Sequence, residues 1–380
     1  MPDSKPGDRD PADVVITGMG VTSAFGRGEG PLLDGVLSGE SAFGQATRFP
    51  TSRCRVGVAA QLPGSPDLAA ELAAVIDDAR GSAGLDPADS GDELLLALHT
   101  DQAAARNPAA GDVLGDVPAR IAALAGLPPP ARIYTTACVA ASTAVADAAA
   151  SIRAGRATRV IVAAGYLVDA DSFWLFDAGR TLAADGQARP FSAGRQGLLL
   201  GDGLAAVVLE AAGAARTRGA TVLARLAGWG RAGDAYHVCQ PRPDGTGLAR
   251  AIAAALNRAQ VGRADIGYLN ASGSGTSFAD AAESAAIHLA FGDHADSIPV
   301  SSTKSAHGHA LEASALVELV VTVLAMRAGL LPVNAGFLAH DPACRLDLVL
   351  AAPRETRARH ALSLNAAFGG ANTALLVEAT

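Results

Sequence analysis

Tyr134-Thr135-Thr136-Ala137-Cys138-Val139-Ala140-Ala141-Ser142 carries an apolar strand straight into an alanine-rich helix that runs through Ala150 to Ala154. The N–H groups that open such a helix have no internal partners, so its positive end faces Cys138 and favours thiolate over thiol. A sulfur so placed can attack an electrophile. The same residue also suits a small buried hydrophobe, because free Cys is among the most buried residue types, and spacing alone does not separate the two.

Outward from this turn, short apolar runs alternate with helical stretches. Arg159 to Ala164 follows the Cys138 helix and Leu204 to Leu209 comes later, both reading as buried strands. The pattern then restarts. Val222 to Leu226 is a strand, Leu248 to Ala259 a helix, and Ile266 to Asn270 a strand that ends in a glycine-rich loop. Such alternation predicts two related α/β halves packed together. The composition shift at Ala211-Ala212-Gly213-Ala214-Ala215 sets the boundary, giving an N-terminal half over 13–215 and a C-terminal half over 216–380.

With 380 residues, 49% of them hydrophobic, the chain can bury a large core. Its formal charge of −8 argues against a general affinity for nucleic acid or anionic membrane, both of which reward a basic surface. Cys54, Cys138, Cys239 and Cys344 form no CxxC pair, so neither a metal site nor a disulfide framework is expected, and a cytoplasmic location fits. Met1 to Ala12 is polar and carries three prolines, so it reads as a disordered leader, not a signal peptide. Every apolar run is broken by Gly, Asp or Arg short of the ~20 residues a membrane span needs.

Six segments in order extend the Thr-Ala-Cys turn into a resemblance. Val15-Ile16-Thr17-Gly18-Met19-Gly20 comes first; after Cys138 come Arg189-Pro190-Phe191-Ser192 with Gly201-Asp202-Gly203, then Asp234-Ala235-Tyr236-His237. Ser302-Thr303-Lys304-Ser305-Ala306-His307-Gly308-His309 and Phe368-Gly369-Gly370-Ala371-Asn372 complete the set. Together they resemble the β-ketoacyl synthases, the condensing enzymes of fatty-acid and polyketide assembly. The resemblance implies a thiolase-like fold, two related βαβ-type halves packed as α-β-α-β-α layers.

It also implies roles. Cys138 would carry the acyl group, and the backbone N–H groups of Cys138 and Phe368 would form the oxyanion hole. Gly369 and Gly370 suit that use because they let backbone approach a ligand, although a plain glycine turn reads the same way. His309 precedes the helix-forming stretch Ala310 to Ala325, whose N-terminal dipole would keep its imidazole neutral and able to stabilise an enolate. Lys304 matches the family's structural and electrostatic lysine. Glu312, three residues after His309 on the same helical face, either orients it or faces water. Asp280 and Glu283 lie just beyond the loop that follows Asn270.

In that loop the chain departs from the family. Asn270-Ala271-Ser272-Gly273-Ser274-Gly275-Thr276 has Ser272 where a second histidine stands, making a Cys-Ser-His set. A hydroxyl can neither hold positive charge nor act as a base near neutral pH. His237 or His307 would supply the missing imidazole if one is needed. Other residues bear on substrate. Ser274 and Thr276 match pantetheine-amide contacts, and His237 and Cys239 lie near the pantetheine channel. Ala366 replaces a bulky gate, and Leu96 to Gln102, with His99 among them, stands where a glycine-rich stretch is expected, within a segment shorter than usual.

Three readings follow. The first, and favoured, is carbon–carbon bond-forming condensation with carrier-protein-bound substrates. The second is acyl transfer from a carrier protein or coenzyme A to another thiol, amine or hydroxyl. The third is a non-catalytic partner like the chain-length factors, although those characteristically lack the nucleophile. The resemblance implies an acyl carrier protein as partner, with phosphopantetheine on that carrier or on coenzyme A, no bound prosthetic group, and a homodimer or a heterodimer with a ketosynthase-like chain.

Overall fold

The computed structural model describes residues 10–86, 91–99 and 115–380. Most of the expected leader, and Thr100 to Gln102 of the departing segment, lie outside them. The first half holds β1 (Val14–Ser23), α1 (Glu29–Ser38), α2 (Leu68–Ser82), β2 (Glu93–Leu98), α3 (Val117–Leu124), β3 (Arg132–Tyr134), α4 (Ala140–Arg153), β4 (Arg159–Tyr166), α5 (Ala170–Ala178), β5 (Gly203–Ala211) and α6 (Ala212–Thr217). The second holds β6 (Ala224–Gly233), α7 (Thr246–Ala259), β7 (Ile266–Asn270), α8 (Ser277–Phe291), β8 (Pro299–Ser301), α9 (Lys304–His307), α10 (Ser314–Ala328), β9 (Asp347–Leu348), β10 (His360–Ala366) and β11 (Ala371–Glu378).

The strands are ordered β9-β8-β7-β10-β11-β6-β1-β5-β4-β2-β3, and the duplication is visible in that order. Outward from the centre the first half runs β1-β5-β4-β2-β3 and the second β6-β11-β10-β7-β8. Each has two antiparallel neighbour pairs near the centre followed by parallel ones. The halves are joined where Val15 pairs with Arg225 and Ile16 with Ala224.

The likeness extends to single glycines. A Cβ at Gly18 or Gly20 of β1 would stand 2.1 or 2.2 Å from the Ala79 or Val75 carbonyl oxygen of α2. Likewise, a Cβ at Gly228 or Gly230 of β6 would stand 2.2 or 1.8 Å from the Ala255 or Ala251 oxygen of α7. In each half a helix backbone therefore lies directly on the central strand, a contact only glycine permits.

Layering follows from where apolar side chains point. One outer cluster packs α2 and α3 against β2, β4 and β5, and another packs α7 and α8 against β7, β10 and β11. Between the halves lie α4, built largely of alanine, and α10, every residue of which from Ser314 to Ala325 is buried. A helix apolar on all sides belongs in an interior, and small side chains on its neighbour let both fit between the sheets. The result is the expected α-β-α-β-α layering, and it places the N-terminus of α4 beside the turn that leads into α10. No helix among the described residues is long and apolar enough to cross a membrane.

Candidate active site

Cys138 sits in a 3₁₀ turn, Ala137–Val139, that feeds α4. Ala137 immediately before it has φ 51°, a left-handed conformation costly for a side-chain-bearing residue, so the turn that presents the sulfur is strained. The helix terminus lies where the sequence places it, but the thiolate does not follow. Burial pushes the Cys138 thiol up to about 12; the negative charge of Glu312 adds to this and Lys304 opposes it. Desolvation and a like charge outweigh the dipole.

His309 is fixed by backbone on one side and by its tautomer on the other. Its N–H donates to Leu199 O at 2.7 Å and its carbonyl accepts from Gly201 N at 3.0 Å. A Cβ on Gly201 would lie 2.0 Å from the His307 carbonyl oxygen, so only glycine permits this pairing. Nδ1 accepts from Leu311 N–H at 3.0 Å and from the Ser314 hydroxyl at 3.0 Å, whose oxygen accepts from Ala310 N–H. The proton of the neutral ring is thereby assigned to Nε2. The residue does not begin a helix, since a 3₁₀ turn (Leu311–Ala313) precedes α10. Burial, with the positive Lys304 and the neighbouring His307, holds its pKa well below the ordinary histidine value.

Lys304 is buried, and Nζ donates to the Ser272 carbonyl at 2.7 Å and to Glu318 Oε1. Glu318 accepts a second bond from Asn365 Nδ2 at 2.5 Å. This lysine therefore couples α10, β10 and the Ser272 loop. Glu283 supports the same loop, its two oxygens accepting from Ser272 N–H at 2.7 Å and Gly273 N–H at 2.8 Å. Asp280 accepts from Phe191 N–H at 2.8 Å and Gly275 N–H at 3.1 Å, with Arg195 beside it. Burial raises Asp280 to about 6 and Glu283 to about 7 against these bonds. The Ser272 oxygen accepts from Ala366 N–H at 3.2 Å, which leaves its own O–H free to donate.

The Phe368 loop turns at Gly369 (φ 90°) and Gly370 (φ 76°), braced by Asp234, whose N–H donates to Gly370 O at 2.8 Å and whose carboxylate accepts from Asn372 Nδ2 at 2.8 Å. The backbone N–H of Cys138 faces its own sulfur and favours the thiolate, and among the described residues no backbone acceptor meets the N–H of Phe368. Phe368 is part-exposed and stacks on Phe176, with ring centroids 6.1 Å apart. Ser274 and Thr276 are half-buried at the start of α8, their hydroxyls 3.0 Å apart.

Several expectations fail. His307 is buried and its Nε2 bonds Thr303 Oγ1 at 3.0 Å; burial and Lys304 push its pKa down to about 3. His237 is exposed, its Nδ1 accepting from Cys239 N–H and Gln240 N–H at 3.1 Å each, and Cys239 is exposed on the same loop. Among the described residues neither imidazole is hydrogen-bonded to the Ser272 loop. Glu312 neither touches His309 nor faces water: both its oxygens lie 3.0 Å from His99 Nδ1. No signal in the sequence pairs His99 with Glu312, 213 residues apart. Among the described residues, no group of three or more His, Cys, Asp or Glu is placed to hold a metal.

Comparison with known proteins gives a consistent answer. Residues 81–215 match the model of the β-ketoacyl synthase N-terminal domain and residues 223–338 that of the C-terminal domain. Nodulation protein E of Rhizobium meliloti is 42% identical over 254 residues, covering 66% of this chain and 62% of that one. The chain thus spans under two thirds of that relative. The tetracenomycin polyketide synthase ketoacyl synthase alpha subunit of Streptomyces glaucescens is 32% identical, with 96% of each chain covered. Among solved structures, the ishigamide ketosynthase/chain length factor superposes with a TM-score of 0.87 at 30% identity, covering 97% of this chain and 99% of that one. A type II polyketide synthase acyl-carrier protein in complex with its ketosynthase gives a TM-score of 0.87 at 26% identity, with 98% and 100% covered.

Proposed function

Since this chain belongs to the β-ketoacyl synthase family, we propose that it is a condensing enzyme of polyketide or fatty-acid type, acylated on Cys138 and supplied by an acyl carrier protein. The observation that carries this reading is the fixed Nε2–H tautomer of His309, with Nε2 unpaired among the described residues. A neutral, donating imidazole suits a developing enolate or thioester oxygen, and a charged one is not required.

In the loading step Cys138 sulfur attacks the carrier thioester. A carbon–sulfur bond forms, the carrier's carbon–sulfur bond breaks, and the Cys138 proton ends on the departing pantetheine thiol. The backbone N–H groups of Cys138 and Phe368 would hold the oxyanion. In the second step a malonyl thioester loses carbon dioxide, its bonding pair becoming an enolate whose oxygen accepts from His309 Nε2–H and from the Ser272 hydroxyl. The enolate carbon attacks the acyl carbonyl on Cys138, a carbon–carbon bond forms, and the Cys138 thiolate leaves and takes a proton from solvent. Ser272 thus replaces a histidine as donor but not as a charged group. Lys304, Glu283 and Asp280 position the loop that carries it, and the Ser274 and Thr276 hydroxyls would hydrogen-bond the pantetheine amides. Assembly with a second copy or a ketosynthase-like sister chain belongs to the same proposal, as some relatives pair with a chain length factor.

The test is to load the protein from acyl carrier thioesters, add malonyl carrier protein and follow the intact mass of all species. Growth of the malonyl carrier by the acyl mass less carbon dioxide is expected. An acylated Cys138 with an unchanged malonyl carrier would replace condensation by acyl transfer, and no acylation at all would point to the chain-length-factor reading.

A further inference from the structure

Glu312 follows His309 by three residues, in the 3₁₀ turn that packs against the turn carrying Cys138 and against the end of β2. Its carboxylate is buried, and both oxygens lie 3.0 Å from Nδ1 of His99, the first residue after β2. A carboxylate on Nδ1 fixes the proton there. The His99 ring stands edge-on to Tyr166 at 5.8 Å, and the side chain keeps 30% exposure. Neither member of this pair has a part in the chemistry above. We propose that the His99–Glu312 pair is a positioning pair for Cys138: a protonated His99 cancels the carboxylate charge beside the sulfur and lets the thiolate form, and a neutral His99 leaves that charge facing it.

Three observations support this. The turn carrying Glu312 packs on the turn carrying Cys138, and Glu312 is the largest negative influence on the thiol, ahead of Glu318, whose charge Lys304 meets. Burial works against a charged His99, but the Glu312 hydrogen bond and charge, with Asp169 beyond, hold its pKa above the ordinary value. Finally, the other imidazoles are committed elsewhere: His307 to Thr303, His237 to an exposed loop and His309 Nδ1 to Ser314 and Leu311. Among the described residues, the titratable groups acting on the pair or on the sulfur with it are Cys138, Tyr166, Asp169 and Lys304. Tyr166 donates to or accepts from Ser172 at 2.7 Å and stays neutral, its phenol pushed well above the ordinary value by burial. Asp169 caps α5 and accepts from Ser172 N–H and its hydroxyl.

This rests on Cys138 being the acyl-carrying thiol, and alkylation tests it without any carrier or condensation. The rate of iodoacetamide alkylation, in which thiolate sulfur displaces iodide and the proton goes to solvent, would be followed from pH 5.5 to 10 on the peptide carrying Cys138. In the native protein the logarithm of the rate should rise with pH, flatten as His99 loses its proton, and rise again. His99→Asn keeps a donor to Glu312 but cannot be charged, so its profile should lack the break and run about tenfold slower below pH 7, converging with the native profile above pH 9. Glu312→Gln should match the native rate where His99 is protonated and run faster above the break, because the charge that faces the sulfur there is gone. An H99N profile superimposed on the native one would overturn the proposal, since a merely structural hydrogen bond is restored by asparagine. If Glu312→Gln does not fold, His99→Asn decides alone, and condensation may still fail or succeed independently in the mass assay.

Discussion

Replacing Lys304 by methionine would remove the cation that meets Glu318, a buried carboxylate between α10, β10 and the Ser272 loop. Taking one partner from a buried ion pair typically costs about 3–5 kcal/mol, because the remaining charge loses its compensation. Unfolding entropy of about 2.1 cal/mol/K per residue gives about 0.8 kcal/mol/K over 380 residues, so the melting temperature should fall by about 4–6 °C. The sign with pH follows from Glu318. Burial already raises its carboxyl above the usual range, with Lys304 and Asn365 pulling it down. Without Lys304 it rises further, and a raised acid is most favourable to the folded state when protonated. The deficit of K304M should therefore shrink as pH falls towards the carboxylate range. Adding Glu318→Gln removes the stranded charge and should recover most of the loss at pH 8. Scanning calorimetry of native, single and double variants at pH 5.5 and 8 reads all of this. A double variant no more stable than K304M at pH 8 would refute the ion-pair reasoning.

Three further outcomes are expected. His309→Ala should lower condensation by about two to three orders of magnitude while acylation of Cys138 by a carrier thioester persists, as read by single-turnover mass spectrometry. Gly201→Ala, whose Cβ would meet the His307 carbonyl oxygen at 2.0 Å, should displace the strand pairing that holds His309 and destabilise the protein by about 1–3 kcal/mol, with condensation lost to a greater extent than alkylation of Cys138. Glu283, raised by burial to about 7 from an ordinary 4.5, contributes stability that is present below about 4.5 and lost as pH rises through 7. Glu283→Gln should flatten the fall in denaturant midpoint over that window, and an unchanged slope would mean the carboxyl is already ionised at acid pH.

What the sequence made legible was local. Apolar runs bounded by glycine gave strands close to those observed, as at Ile266–Asn270, and the 246–259 helix was readable from its apolar spacing. The family resemblance, not spacing, named Cys138, His309 and Lys304 as one set, and each sits at or beside a short turn whose backbone shape depends on neighbours a few residues away. The failures have a common cause. The helix dipole at Cys138 and at His309 is a one-dimensional inference, whereas burial and charges from distant segments set their titration. Glu312 looked like a helix-face neighbour of His309, yet the 3₁₀ turn at Leu311–Ala313 rotates it away towards His99. The periodicity of α10 showed only an apolar helix; that it is covered on every side depends on two half-sheets closing over it.

These displaced pKa values together constrain how the nucleophile can work. Burial pushes the Cys138 thiol up and the His309 imidazole down, so neither shift favours a resting thiolate–imidazolium pair. In the proposed reaction the charge needed for attack then arises as the carrier thioester is attacked. His309 suits a later role: with Nδ1 already filled by two donors, it offers a proton-bearing Nε2 and accepts none. The thiol consequently depends on what surrounds it: helix N–H groups and Lys304 on one side, Glu312 on the other. Glu312 opposes the thiolate more than Glu318 does and is held by an imidazole and not by an ammonium, so under the proposal it is at Glu312 that a change of one proton near neutral pH alters the balance at the sulfur.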